Sequence, residues 1–95
     1  MFFPVARFKV EDSSMEPTFM PGDYVLVCRY IFKKPKNGDV IVFKHEGRYL
    51  IKRIEKMVKS AYFVVGDNKK RSLSSKDFGL VKYDKIIGKV VLKVK

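Results

Sequence analysis

Cysteine and histidine each occur once, at Cys28 and His45, in a chain of 95 residues. A single thiol excludes an internal disulfide and a cysteine-based metal site. A single imidazole excludes a His-rich zinc site and the HExxH helix. No metal and no other cofactor is therefore expected. Long apolar runs are lacking as well: 40–43 and 61–65 are among the longest, far short of the roughly 20 residues a membrane-crossing helix needs. The opening residues, Met1-Phe2-Phe3-Pro4-Val5-Ala6-Arg7, have no basic stretch followed by an apolar one, so a secretory leader is not expected. The expected location is cytoplasmic. The length leaves room for one modest core and none for a second, which predicts a single domain over 1–95.

Acidic residues are scarce, 10 against 21 Lys and Arg, for a net charge of +11. Such a charge attracts nucleic acid or an anionic membrane, or simply solvates the exterior. The lysines are spread over the chain, at Lys33, Lys44, Lys56, Lys69, Lys82 and Lys93 for example, rather than gathered in a block. That distribution favours the solvated exterior.

Alternating apolar and polar residues, β-branched residues and turn punctuation dominate, and no window carries a helical apolar stripe. The reading is all-β, a small barrel or half-barrel of antiparallel strands with at most short helical turns. Strands are expected at 5–10, 23–29, 39–44, 48–58, 61–65 and 86–94. His45-Glu46-Gly47 is expected to join the third and fourth as an antiparallel hairpin. Helical turns are expected within 15–20 and 72–78, where Ser and Asp can cap and alternation stops.

Three stretches carry chemistry. In Asp12-Ser13-Ser14-Met15-Glu16-Pro17-Thr18 a serine follows a strand and precedes a proline-stiffened turn, a place from which its hydroxyl and its own N–H can both face a substrate carbonyl. In Arg48-Tyr49-Leu50-Ile51-Lys52-Arg53-Ile54, alternation puts Lys52 on one face between Leu50 and Ile54. An ammonium held among aliphatic groups loses hydration, its pKa falls, and a neutral amine able to take a serine proton becomes available. The third stretch, Gly66-Asp67-Asn68 followed by Ser72, Ser74 and Ser75, offers a tight turn and short hydroxyls that could orient such an amine.

In this order and spacing the stretches resemble the boxes of the type I signal peptidase family, over residues 10–90. Ser14-Met15-Glu16-Pro17-Thr18 looks like the nucleophile box, Gly22-Asp23-Tyr24-Val25-Leu26-Val27 like the strand after it, Tyr49-Leu50-Ile51-Lys52-Arg53 like the lysine box, and Gly66-Asp67-Asn68 with Ser72 like the last. The resemblance implies a serine endopeptidase in which Ser14 attacks, Lys52 is the general base and Ser72 holds the lysine amine, with Gly66-Asp67-Asn68 structural. Its substrate would be a precursor protein or peptide. Met15 and Pro17 are expected to touch it. The compact, anchor-free form looks most like the nickel-superoxide-dismutase maturation peptidases, which would make the substrate a soluble precursor. Peripheral contact with an anionic membrane would remain compatible with the charge.

Two departures stand out. Ser74-Ser75-Lys76 replaces the Asp-Ser-Arg usual in bacterial members, so the bracing of that loop must differ. Asp12 stands where some members place serine or glycine, and a carboxylate cannot stabilise an oxyanion. His45 is set aside as the base because it falls in the hairpin turn, and Cys28 reads as a strand residue. Beside the peptidase stand three alternatives. One is a self-cleaving repressor-type domain, for which too little chain precedes Ser14. Another is a basic β-barrel stacking RNA or single-stranded DNA on Phe8, Tyr24 and Phe43, although nucleic acid is not the expected partner. The third is a peptide-binding domain that no longer cuts.

Overall fold

A computed structural model describes residues 5–29 and 34–94. Alternation is realised as strands: β1 (Val5–Lys9), β2 (Tyr24–Cys28), β3 (Val40–His45), β4 (Arg48–Val58) and β5 (Ala61–Val65). A four-residue helix, α1 (Ser75–Phe78), comes next, then β6 (Val81–Lys82), a 3-10 turn at Tyr83–Lys85, and β7 (Ile86–Val94). The fold is all-β, as the pattern predicts. Its strands form one open antiparallel sheet in the order β1-β2-β7-β3-β4-β5-β6. Among the described residues no helix is long and apolar enough to cross a membrane.

β3 is the strand on which the two cores meet. Val40 and Val42 join Val10, Met15, Phe19, Val25 and Val27 in one cluster, while Ile41 and Phe43 join Ile54, Tyr62, Val64 and Val81 in another. Successive side chains of a strand point to opposite faces, so a run buried on both must be apolar throughout; Val40-Ile41-Val42-Phe43 meets that demand. Register shifts at Leu26/Val27, Val42/Phe43 and Ile54/Lys56 bend the strands around these clusters, as bulges do.

The β3–β4 hairpin closes through two residues, Glu46 (φ 49°) and Gly47 (φ 77°). Positive φ at both central positions suits the twist of flanking strands. His45 thus belongs to β3, paired with Arg48. The helical turn expected within 72–78 is α1, capped by Ser74, whose side chain accepts from the Lys76 N–H, and by Asp77, which accepts from the Ser74 N–H in return. Within 15–20 there is one α-type bond, Phe19 N–H to Met15 C=O at 2.9 Å, and no helix. Pro17 has no N–H to extend the ladder.

Among the described residues, one hydroxyl within the two core clusters has no hydrogen-bond partner. The Tyr62 hydroxyl is buried and makes no hydrogen bond to the described residues, on a residue 1% exposed, and burial pushes its phenol pKa up. A buried, unpaired hydroxyl contributes nothing and carries a desolvation cost. Tyr62→Phe should therefore leave stability unchanged or raise it by about 1 kcal/mol in urea denaturation. A loss of that size would contradict an unpaired hydroxyl.

Candidate active site

The loop between β1 and β2 is closed at its base by Val10 N–H to Asp23 C=O and Gly22 N–H to Val10 C=O, both 2.7 Å. Its interior side is stitched to the turn after β5. The Asn68 N–H donates to the Ser14 carbonyl at 2.9 Å, the Asn68 amide to the Ser13 carbonyl at 3.0 Å, and the Asp67 N–H to Met15 Sδ at 3.4 Å. Asp67 in turn takes a bidentate bond from Arg53 of β4, Nε and Nη2 each at 2.8 Å, and a hydroxyl from Thr18 at 2.5 Å. Arg53 also donates to the Gly38 carbonyl at 2.7 Å. Three separate chain segments are thereby held in register around Ser14.

Gly66 makes this approach possible. A Cβ there would sit 2.6 Å from the Ser14 carbonyl oxygen and 2.5 Å from Ser72 Cβ. The bracing that replaces the missing acid and arginine after the last box is now visible. Ser74 and Asp77 cap α1, and Ser75, 5% exposed, accepts the Val64 N–H at 2.8 Å, fixing α1 to β5.

Ser14 and Lys52 border one cleft of about 670 Å³ together with Ser72. Each of the first two is 4% exposed. Among the described residues Ser14 Oγ has no hydrogen-bond partner. Lys52 points to the face of β4 shared by Ile54, a member of the second core cluster, and Leu50, which packs against it, as alternation predicts. Burial pushes its pKa below the ordinary lysine value of 10.5, and the carboxylates of Asp12 and Asp77 pull the other way. Ser72 Oγ donates to the Asn68 carbonyl at 2.7 Å. A hydroxyl committed in this way keeps lone pairs free to accept an N–H.

Met15 and Pro17 stand elsewhere. Met15 is completely buried in the first core cluster because its sulfur seats the Asp67 turn, and Pro17 is exposed on the loop; neither borders the cleft. Sequence reasoning also missed several groups that do border it: Asp77, Arg71, Arg48 and His45, the last tilted against the Phe78 ring with centroids 5.2 Å apart. Asp77 had a local signal, the Ser74-x-x-Asp77 capping pattern. For the others the cleft depends on contacts between distant segments. Of the aromatic residues considered for base stacking, Phe43 is 1% exposed and unavailable. Phe8 is engaged edge-on by Tyr49, and Tyr24 lies under the Arg7 guanidinium at 4.6 Å.

The family model for Peptidase S24-like proteins matches residues 4–91. The chain belongs to the Peptidase S24-like family. Curated relatives of this S24-like chain include the Signal peptidase I of Buchnera aphidicola subsp. Baizongia pistaciae (strain Bp), 31% identical over 65 residues, which cover 54% of this chain and 21% of that protein. The Signal peptidase I of Aquifex aeolicus (strain VF5) is 40% identical over 40 residues, 40% of this chain and 16% of that protein. The chain thus spans about a fifth or less of the length of these relatives.

The Arg53–Asp67 pair gives a pH signature. The Arg53 hydrogen bonds hold the Asp67 carboxyl below its ordinary value of 3.8. A folded pKa below the unfolded one contributes stability that is present above 3.8 and lost as pH falls through the folded value. Asp67→Asn should lower Tm at neutral pH by the equivalent of about 1–2 kcal/mol, discounted for partial exposure. Its deficit relative to wild type should shrink as the pH is taken below 3.8. A deficit that does not change with pH would contradict the pair's role.

Proposed function

We propose that this chain is a single serine endopeptidase domain in which Ser14 is the nucleophile and Lys52 the general base, removing an N-terminal segment from a precursor protein. The observation that carries the reading is the pairing, on one cleft, of a buried serine hydroxyl without a partner and a buried lysine whose pKa is lowered by burial. Partnerless buried hydroxyls and desolvated lysines both carry a cost to the fold, and perturbed groups converging in a cleft mark functional sites.

In this mechanism the neutral Lys52 amine takes the Ser14 proton as Oγ adds to the scissile carbonyl. The resulting ammonium protonates the departing amine, leaving an acyl-Ser14 ester and a neutral lysine. Lys52 then takes a proton from water, which attacks the ester and frees Ser14. Ser72 accepts an N–H of the lysine, directing the amine lone pair at Ser14. The Ser14 N–H is the oxyanion donor contributed by the nucleophile itself.

A second groove, of about 510 Å³, supports an extended substrate. It runs from Arg7 to Asp12 on one side and from Arg48 to Ile51 on the other, and shares Asp12, Arg48 and Leu50 with the first cleft. Among the described residues β1 pairs only with β2, and β5 pairs with β4 only from Arg53 onward. Both walls therefore offer unpaired strand edges, to which a peptide backbone can add as a strand. We take the substrate to be a soluble precursor met in the cytoplasm, and the net charge of +11 would add attraction to anionic lipid.

Wild type, Ser14→Ala and Lys52→Met should be incubated with a library of peptides and precursor proteins and any cut mapped by mass spectrometry. Cleavage should fall by at least about 10³-fold in both variants, while Lys52→Met gains stability through loss of a buried amine, raising Tm by about 4 °C or more. Because Lys52 must be neutral, wild-type activity should rise with pH to a midpoint below 10.5. Cleavage that survives either substitution would sink the mechanism.

A further inference from the structure

Asp12 presents a conflict that the peptidase reading does not resolve. Its Oδ1 accepts the Ser14 N–H at 3.1 Å, the very donor an oxyanion would need. One amide proton cannot serve a carboxylate and an oxyanion together, and two anions at one donor repel each other. Asp12 is exposed, so its carboxylate can leave for water with little cost. It also borders both the cleft that holds Ser14 and Lys52 and the groove between β1 and β4. A peptide lying in that groove must pass it.

We propose that Asp12 is a gate on the active site: at rest its carboxylate occupies the Ser14 amide, and substrate entering the β1–β4 groove displaces it to open the oxyanion site. This rests on Ser14 being the nucleophile. Asp12 is then a positioning residue and not a catalytic one.

The gate acts on both partners at once. The ionisable groups facing Lys52 around the cleft are Asp12 on the loop, Asp77 on α1, His45 and Glu46 at the hairpin, Arg48 on β4 and Arg71 on the loop before α1. Of these, Asp12 and Asp77 favour the ammonium form, with Asp12 the stronger. A carboxylate at the Ser14 amide thus holds back the donor and keeps the base protonated. Its departure frees the amide and lowers the pKa of Lys52 further. The Ser14 hydroxyl, which has no partner in this closed arrangement, is the group left waiting for that change.

An Asp at this position could simply shape the loop, because side-chain acceptors two residues before an N–H commonly form such turns. Asn keeps the turn and the contact with the Ser14 N–H but removes the charge on Lys52's neighbour, whereas Gly removes the acceptor itself, and the pair separates the two roles. Wild type, Asp12→Asn, Asp12→Gly and Ser14→Ala should be treated with p-nitrophenyl acetate across the neutral to alkaline range. Release of p-nitrophenolate gives the rate, and peptide mass mapping locates the acetyl group. In this reaction Ser14 Oγ bonds the acetyl carbon, its proton passes to Lys52, and p-nitrophenolate leaves with the electron pair of the broken C–O bond. Asp12→Asn should move the rate midpoint to lower pH. Below that midpoint it should acylate Ser14 faster than wild type, by about tenfold for every pH step of one through which the midpoint has fallen. Asp12→Gly should be at least about tenfold faster, bounded by the roughly 10²–10³-fold worth of an oxyanion donor. An unchanged midpoint and rate in Asp12→Asn overturns the gate, whether or not Asp12→Gly folds. A folded Asp12→Gly no faster than wild type does the same. Acylation that persists in Ser14→Ala, or maps to another residue, overturns the nucleophile assignment and the gate with it.

Discussion

A lysine taken out of water is the constraint around which the rest of this structure is arranged. Lys52 sits on a strand face between Leu50 and Ile54, opposite Ile41 in the register of β3 and β4. An ammonium there forfeits hydration, and its pKa falls for that reason before any neighbour acts. Two carboxylates, on the loop before Ser14 and on α1, partly restore the charged form. The amine is therefore held between a burial that lowers its pKa and acids that raise it. In the proposed mechanism that balance decides when the base is ready.

Holding a lysine in such a place requires a framework stable enough to bear it. β3 supplies this by burying both of its faces, so that each cluster leans on the other through one strand. The loop bearing Ser14 is then fixed from a second direction by Asn68, and the Asn68 turn is fixed by Arg53 from β4, the strand that also carries Lys52. Serine, lysine and Asn68 turn are thus tied through short polar contacts as well as through the cores. Gly66 admits the approach because it has no side chain to obstruct Ser72 or the Ser14 carbonyl.

Much of this was legible from local pattern. The bounds 48–58, 61–65 and 86–94 match β4, β5 and β7, since strong alternation leaves little choice of face or register. The burial of Lys52 followed from its two aliphatic neighbours. Where alternation stops, reading became less secure. Met15 is expected to touch the substrate, and a loop closed over the first core buries it instead. β6 is two residues long and is defined only by its pairing with β5, so no period marks it. His45, Arg48 and Arg71 meet at the cleft through strand pairing and loop packing that spacing along the chain does not encode. β7 inserting between β2 and β3 is likewise a property of the whole sheet.

The titration of Lys52 itself tests the central claim most directly. Carbon-13 at its ε-methylene, followed by NMR against pH and assigned by comparison with Lys52→Met, reports the proton on that one amine. The account predicts a midpoint below the ordinary 10.5, moving lower still in Asp12→Asn. A midpoint at or above 10.5 would mean that the carboxylates outweigh burial, leaving Lys52 a buried cation and the serine without its base.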